Sequence, residues 1–246
     1  MLSCGSLILG ELTMAEANIT FDYEISFPDG RIQNFHIELD PASLALVPVP
    51  RETYPAWTKL SCFQCNLCPL DPQKHPRCPV AENLLDATDA FARNLSYKEV
   101  SVTIRTPTRN YQRNISLQNA LRSLFGIYMA TSGCPVLDKL RPLVATHLPF
   151  ATVTETAYRV LSMYALAQCF ILKKGGTPDW EFKNLGKLYQ DVEIVNRAFH
   201  QRLVSAGFQD ANLNAITNLN CYAQFTQMLL EPQGLGRVEH LFAPYL

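Results

Sequence analysis

Between residues 19 and 27 apolar and polar side chains alternate without a break. Ile19, Phe21, Tyr23, Ile25 and Phe27 fall on one side, and Thr20, Asp22, Glu24 and Ser26 on the other. A period of two predicts a strand with one buried face. Pro28-Asp29-Gly30 then fits a three-residue hairpin loop with Gly30 in the left-handed position. That loop pairs Phe27 with Arg31, which sets Tyr23 opposite Phe35, Phe21 opposite Ile37 and Ile19 opposite Leu39. A two-residue loop would set Tyr23 against His36 and Phe21 against Glu38, so the apolar faces would not coincide. Val100, Val102 and Ile104 alternate with Ser101, Thr103 and Arg105 in a further strand, and Tyr111 to Ile115 return beside it.

The remaining periodicity is helical. Residues 79–95 open with Pro79 at a first turn and place Val80, Leu84, Phe91 and Leu95 on one side. Leu117, Leu121, Leu124, Phe125 and Tyr128 share a face, and Pro135 to Thr146 predicts a shorter helix. Residues 153–173 are apolar nearly all round, the pattern of a central buried helix, and Gly175-Gly176 stop it. Leu185, Leu188, Val192, Val195, Phe199 and Leu203 line a fourth helix, and residues 210–230 form a fifth. Strands first and helices later predict an α+β fold: an N-terminal β-hairpin and small antiparallel sheet packed on a C-terminal bundle of about five helices. One domain is expected over 19–246, β-rich to residue 115 and helical from 116, preceded by a frayed extension over 1–18.

Composition supports a folded chain: 48% of the 246 residues are hydrophobic and 17% charged, too apolar for disorder. The net charge of −1 excludes nucleic-acid binding by bulk electrostatics. Charge is nevertheless uneven. Residues 1–50 carry seven acids against one arginine, whereas 100–137 carry Arg105, Arg109, Arg113 and Arg122 with no acid. Such a patch gives nucleic-acid contact only weak support, since no aromatic-interleaved motif accompanies it. The most apolar stretch, Ala157 to Leu172, is interrupted by Arg159, Ser162 and Gln168, short of the ~20 residues a bilayer span needs. With no basic residue before the Leu7–Leu9 run, a secretory signal is not expected. A reducing cytoplasm follows, where cysteines serve as ligands, core residues or nucleophiles rather than disulfides.

The densest chemistry lies in the loop 62–79, where Cys62, Cys65, Cys68, His75 and Cys78 stand amid polar residues and prolines. Two thiolates two residues apart can reach one ion from a tight turn, and Cys65 and Cys68 form such a unit. A site of Cys65, Cys68 and Cys78, closed by Cys62 or His75, would be tetrahedral, complete and structural, and zinc is the expected ion. The alternative is an iron–sulfur cluster, since three cysteines two apart and a Cys-Pro resemble a ferredoxin run; here nine residues rather than three precede the last cysteine.

A second constellation is a polar pocket of Cys134, His147, Glu155 and Arg159. Cys134 precedes a helix start, His147 would be its base, and Glu155 and Arg159 are spaced for an i, i+4 ion pair. The plainer reading packs Cys134 in the core, together with Cys169 and Cys221. Asp210, Asn214 and Asn218 repeat at i+4, the spacing of caps and inter-helix hydrogen bonds. Dinucleotide, phosphate-loop, serine-hydrolase, zinc-protease and di-iron templates are all absent.

Cys65-Asn-Leu-Cys68-Pro-Leu, Thr131-Ser132-Gly133-Cys134-Pro135, His147-Leu-Pro-Phe150 and Glu155-Thr-Ala-Tyr-Arg159 together resemble an uncharacterised bacterial family of unknown function, from about Ile19 to Phe225. The resemblance implies a bacterial source and carries no catalytic residue. The function expected from the residues is a zinc-stabilised binding or regulatory module acting on a protein partner or small ligand. Its alternative is an iron–sulfur or thiol-dependent enzyme.

Overall fold

The computed structural model describes residues 18–49, 51–231, 234 and 236–246, so the expected extension and Cys4 lie almost wholly or wholly outside the described residues. The hairpin forms as the alternation requires. Strand β1 (Ile19–Ser26) pairs antiparallel with β2 (Ile32–Leu39), with Tyr23 opposite Phe35, Phe21 opposite Ile37 and Ile19 opposite Leu39. The Phe27 N–H donates to the Arg31 carbonyl at 2.8 Å, and Gly30 takes φ +87°, which closes the three-residue loop. Two short helices follow, α1 (Pro79–Asn83) and α2 (Leu85–Ala90). Strands β3 (Glu99–Arg105) and β4 (Asn110–Ser116) complete an antiparallel sheet of order β2-β1-β3-β4.

The helical part holds α3 (Leu117–Thr131), the single turn α4 (Pro142–Ala145), α5 (Val153–Lys173), α6 (Lys183–Ser205), α7 (Asp210–Leu229) and the short α8 (Gly236–Glu239). Eight α-helices among the described residues exceed the five expected for the helical part alone. The difference arises from single turns and from one break. Residues 79–95 divide at Leu84 and end at Ala90, leaving Leu95 exposed, and Pro135–Thr146 yields only a 3-10 turn (Leu137–Leu140) and α4.

One face of the sheet is the core. Phe21, Tyr23, Ile25, Phe35, Ile37 and Leu39 are buried with Val100, Val102 and Ile104, and α3 and Phe91 pack over them. The other face stays polar, with His36 Nδ1 2.6 Å from the Asp22 carboxylate and Arg105 bonded to Glu24 at 3.1 Å. That last pair joins the basic middle of the chain to its acidic start.

Helix α5 departs from expectation. Of its 21 residues only Ala157, Val160 and Gln168 are buried, and Leu166, Phe170, Ile171 and Leu172 are exposed. An apolar circumference reads as a central helix when all of its neighbours are assumed present. Here the helix lies on the outside of the bundle, turning Ala157 and Val160 inward and burying Gln168, whose Oε1 accepts from the Asp179 N–H.

A buried cation joins the irregular segment 55–60 to the bundle. Arg202 of α6 is 2% exposed, and its guanidinium donates to the carbonyls of Trp57 (2.6 Å) and Lys59 (2.6 Å), with Leu60 at 3.4 Å. Removing the side chain takes the donor from the Trp57 carbonyl and leaves the Lys59 carbonyl with the Cys62 N–H alone, a penalty of roughly 1–3 kcal/mol for each buried acceptor left without a partner. Arg202→Ala and Arg202→Met are therefore expected to lower stability by about 3 kcal/mol or more in urea denaturation. Arg202→Lys, which can still reach a single carbonyl, falls between.

Candidate functional site

The cysteine-rich loop is pinched shut at its base. Lys59 and Arg77 form an antiparallel bridge, the Leu60 N–H donates to the Pro76 carbonyl at 2.9 Å, and the Cys78 N–H donates to the Thr58 carbonyl at 2.8 Å. Inside the loop the Cys68 N–H donates to the Cys65 carbonyl at 2.9 Å, a turn that brings the two ends of the CxxC unit together. Phe63 just before it takes φ +52°, a left-handed conformation costly for an aromatic residue. Cys78 caps the N-terminus of α1, with Pro79 in the first helical position.

Three of these cysteines meet a fourth from far along the chain. A cavity of about 30 Å³ is bounded by Cys65, Cys68, Cys78 and Cys134, and closed from behind by Val195, Phe199 and Arg202 of α6. Burial pushes the Cys65 thiol up to about 11, and the neighbouring Cys68, Cys134 and Cys78 push in the same direction. Burial also raises the Cys134 thiol, while backbone hydrogen bonding from Leu137 and Val136 pulls the other way. Among the described residues no group of three or more His, Cys, Asp and Glu side chains is already arranged to hold a metal ion. Cys62 is half-buried at the loop base, where its N–H donates to the Lys59 carbonyl, and it does not line the cavity. His75 is exposed, its backbone turned onto Asp71.

Cys134 is buried in the core, as the plainer reading of the sequence had it, but its place beside the loop cysteines was not foreseen, although a signal was present. Cys68-Pro69, Cys78-Pro79 and Cys134-Pro135 are the three Cys-Pro pairs of the chain. Proline lacks an N–H and fixes φ, so the next free amides belong to the two residues that follow it, within reach of the preceding sulfur. Cys134 shows this arrangement with Val136 and Leu137.

The other predicted residues separate. Cys134 lies in the thiol cavity. Glu155 is exposed and belongs to a capping box, accepting from the Thr152 N–H at 2.7 Å while the Thr152 hydroxyl accepts from the Glu155 N–H at 3.2 Å. That engagement replaces the expected ion pair with Arg159, whose Nη2 donates to the Leu143 carbonyl at 2.6 Å. Cys169 is half-buried and Cys221 exposed, not the core residues their helical positions suggested. Asp210 accepts from the Ser96 N–H and from Asn214 Nδ2, so it bonds to a distant segment and along its own helix rather than capping α7, whose N-cap position is Gln209.

His147 and Arg159 do share a space, a cavity of about 190 Å³ walled by α3, the first turns of α5, α6, α7 and the segment 137–151. Nε2 of His147 lies 2.9 Å from the Tyr23 hydroxyl and 3.4 Å from Ser123 Oγ, and those two hydroxyls are 3.0 Å apart. Phe21 meets the imidazole edge-on at 5.4 Å. This network ties β1 to α3 and to the 137–151 segment. Burial, with the nearby Arg159 charge adding to it, pushes His147 down to about 3, so the ring is neutral near pH 7 and too weak a base to activate Ser123.

The sign of the resulting pH dependence is fixed. The unfolded chain binds a proton at His147 near pH 6.5 and the folded chain does so only near 3, so this contribution to stability is complete above 6.5 and is lost as pH falls towards 3. The His147 contribution to stability is expected to fall by up to about 1.4 kcal/mol per pH unit through that window, and His147→Gln to remove that share of the slope. Urea midpoints measured between pH 7 and 4 decide the matter.

Comparison with known proteins places this geometry in a family. No curated protein and no solved structure matches the chain. A family model described as a domain of unknown function, DUF6901, matches residues 21–243, from the first strand through the last helical turn. The chain therefore belongs to the DUF6901 family.

Proposed function

We propose that this chain is a zinc-stabilised binding or regulatory module in which Cys65, Cys68, Cys78 and Cys134 close around one zinc ion. The observation that carries the reading is the common cavity of these four thiols, drawn from a loop and from a helix junction 56 residues beyond its last cysteine. Four thiolates complete a tetrahedral shell and leave no open position for substrate, which marks a structural rather than catalytic ion. The size of the space favours a single ion over a cluster: about 30 Å³ is roughly the share of one liquid water. Backbone amides beside a sulfur favour its thiolate form, as Val136 and Leu137 do for Cys134. The ion would draw the four sulfurs inward from their present positions and bind the proline-rich loop to the helical half. A reducing cytoplasm would keep the thiols available to it.

Elemental analysis tests this reading on protein purified without chelator. About one zinc per chain is expected, with Cys134→Ser losing more than half of it and Cys62→Ser and His75→Ala losing none. Less than a tenth of a zinc per chain overturns the reading. A brown protein containing iron and acid-labile sulfide replaces zinc with a cluster. Retention of full zinc by Cys134→Ser removes that residue from the ligand set.

A further inference from the structure

We propose that the cavity between α3, α6 and α7 binds a small organic carboxylate with an apolar body, its carboxylate seated on Arg159. The first argument is charge. Arg159 and Arg122 both line the cavity, and no Asp or Glu does. Glu155, one turn before Arg159, is held by its own capping box. Nε of Arg159 is buried with no hydrogen-bond partner, although Nη2 is engaged by Leu143. A guanidinium in that condition keeps one buried donor with nothing to receive it, and a carboxylate oxygen supplies the acceptor together with the opposite charge. Arg122 lies over the Tyr222 ring at 4.0 Å, which holds a second positive charge on the wall.

The second argument is shape. Most of the wall is apolar, with Ile127, Leu143 and Val192 among its residues. A dry cavity of about 150 Å³ accepts benzene. This one, at about 190 Å³, has room for a body of that size and a carboxylate beside it. Bare inorganic anions would leave the apolar wall empty, and a neutral hydrocarbon would leave Arg159 unanswered. A third observation comes from Phe150, which lines the same wall with φ +60°. Non-glycine residues held in the left-handed region concentrate at ligand-clamping sites.

Calorimetry on the wild-type chain with benzoate, phenylacetate and octanoate, each against its neutral amide, tests the proposal. At least one carboxylate is expected to bind at least tenfold more tightly than its amide and to raise the melting temperature. Arg159→Gln should reduce that affinity at least tenfold while leaving amide binding unchanged, and Arg159→Lys should restore part of it. Ala223→Leu, which fills the cavity from α7, should abolish both. Equal binding of carboxylate and amide overturns the proposal, as does tighter binding of inorganic phosphate or no binding by the wild type. Should Arg159→Gln fail to fold, the wild-type comparison of acid with amide decides alone.

Discussion

A single buried guanidinium organises the irregular half of this molecule. The segment 40–78 is rich in proline and has few regular backbone hydrogen bonds of its own, so its carbonyls need partners from elsewhere. Arg202 supplies them to Trp57 and Lys59, and approaches Leu60, from the interior of the bundle. A cation so placed would be costly in a hydrocarbon setting, but backbone carbonyl dipoles converge on it as hydrating water would. The loop base closes directly above, through the Lys59–Arg77 bridge, and Trp57 packs edge-on against Phe208 at 5.2 Å. Position and orientation of the cysteine loop follow from that seating.

The regular half depends on a different economy of groups. Its sheet is one-sided: Ile19, Phe21 and Tyr23 of β1 face Leu39, Ile37 and Phe35 in register on β2, and Ile25 lies opposite Gln33 near the hairpin end. Shifting the pairing by one residue would reverse both faces, so the register is strongly specified. Among the buried strand residues Tyr23 alone carries a polar group, and there Ser123 and His147 satisfy it. That exception sits where the sheet meets the 190 Å³ cavity, since Ser123 and His147 both line it.

Legibility in the sequence divides along the same line. Period-two alternation and a Pro-Asp-Gly turn determine strand pairing locally, and the hairpin register follows from them residue by residue. The stripes of α3 and α6 were equally readable, because each presents a buried face several turns long, whereas α7 was read as a helix without a defined face. The extent of α5's burial was not, since an apolar helix carries no mark of what will cover it. Side-chain assignments failed for a related reason. Glu155 at i+4 from Arg159 suggested a pair, but Thr152 three residues earlier offered the nearer backbone amide. Cys134 needed tertiary information, namely that the junction after α3 folds beneath the loop, although its shared Cys-Pro context hinted at a common role.

Helix α6 explains how two cavities come to lie so close together. Tyr189, Val192 and Asn196 face the larger one, whereas Val195, Phe199 and Arg202 face the thiols. At 100° per residue these two sets form stripes roughly a quarter-turn apart, which sequence periodicity merges into one broad apolar face. The turn after Cys134 bridges the same gap on the opposite wall, with Cys134 bounding the thiol cavity and Leu137 and Leu140 bounding the other. The Asp138 N–H donates to the Cys134 carbonyl at 2.9 Å, which closes this short turn. One wall of the larger cavity thus continues directly from the turn that carries Cys134, and the two sites share a frame rather than merely a neighbourhood.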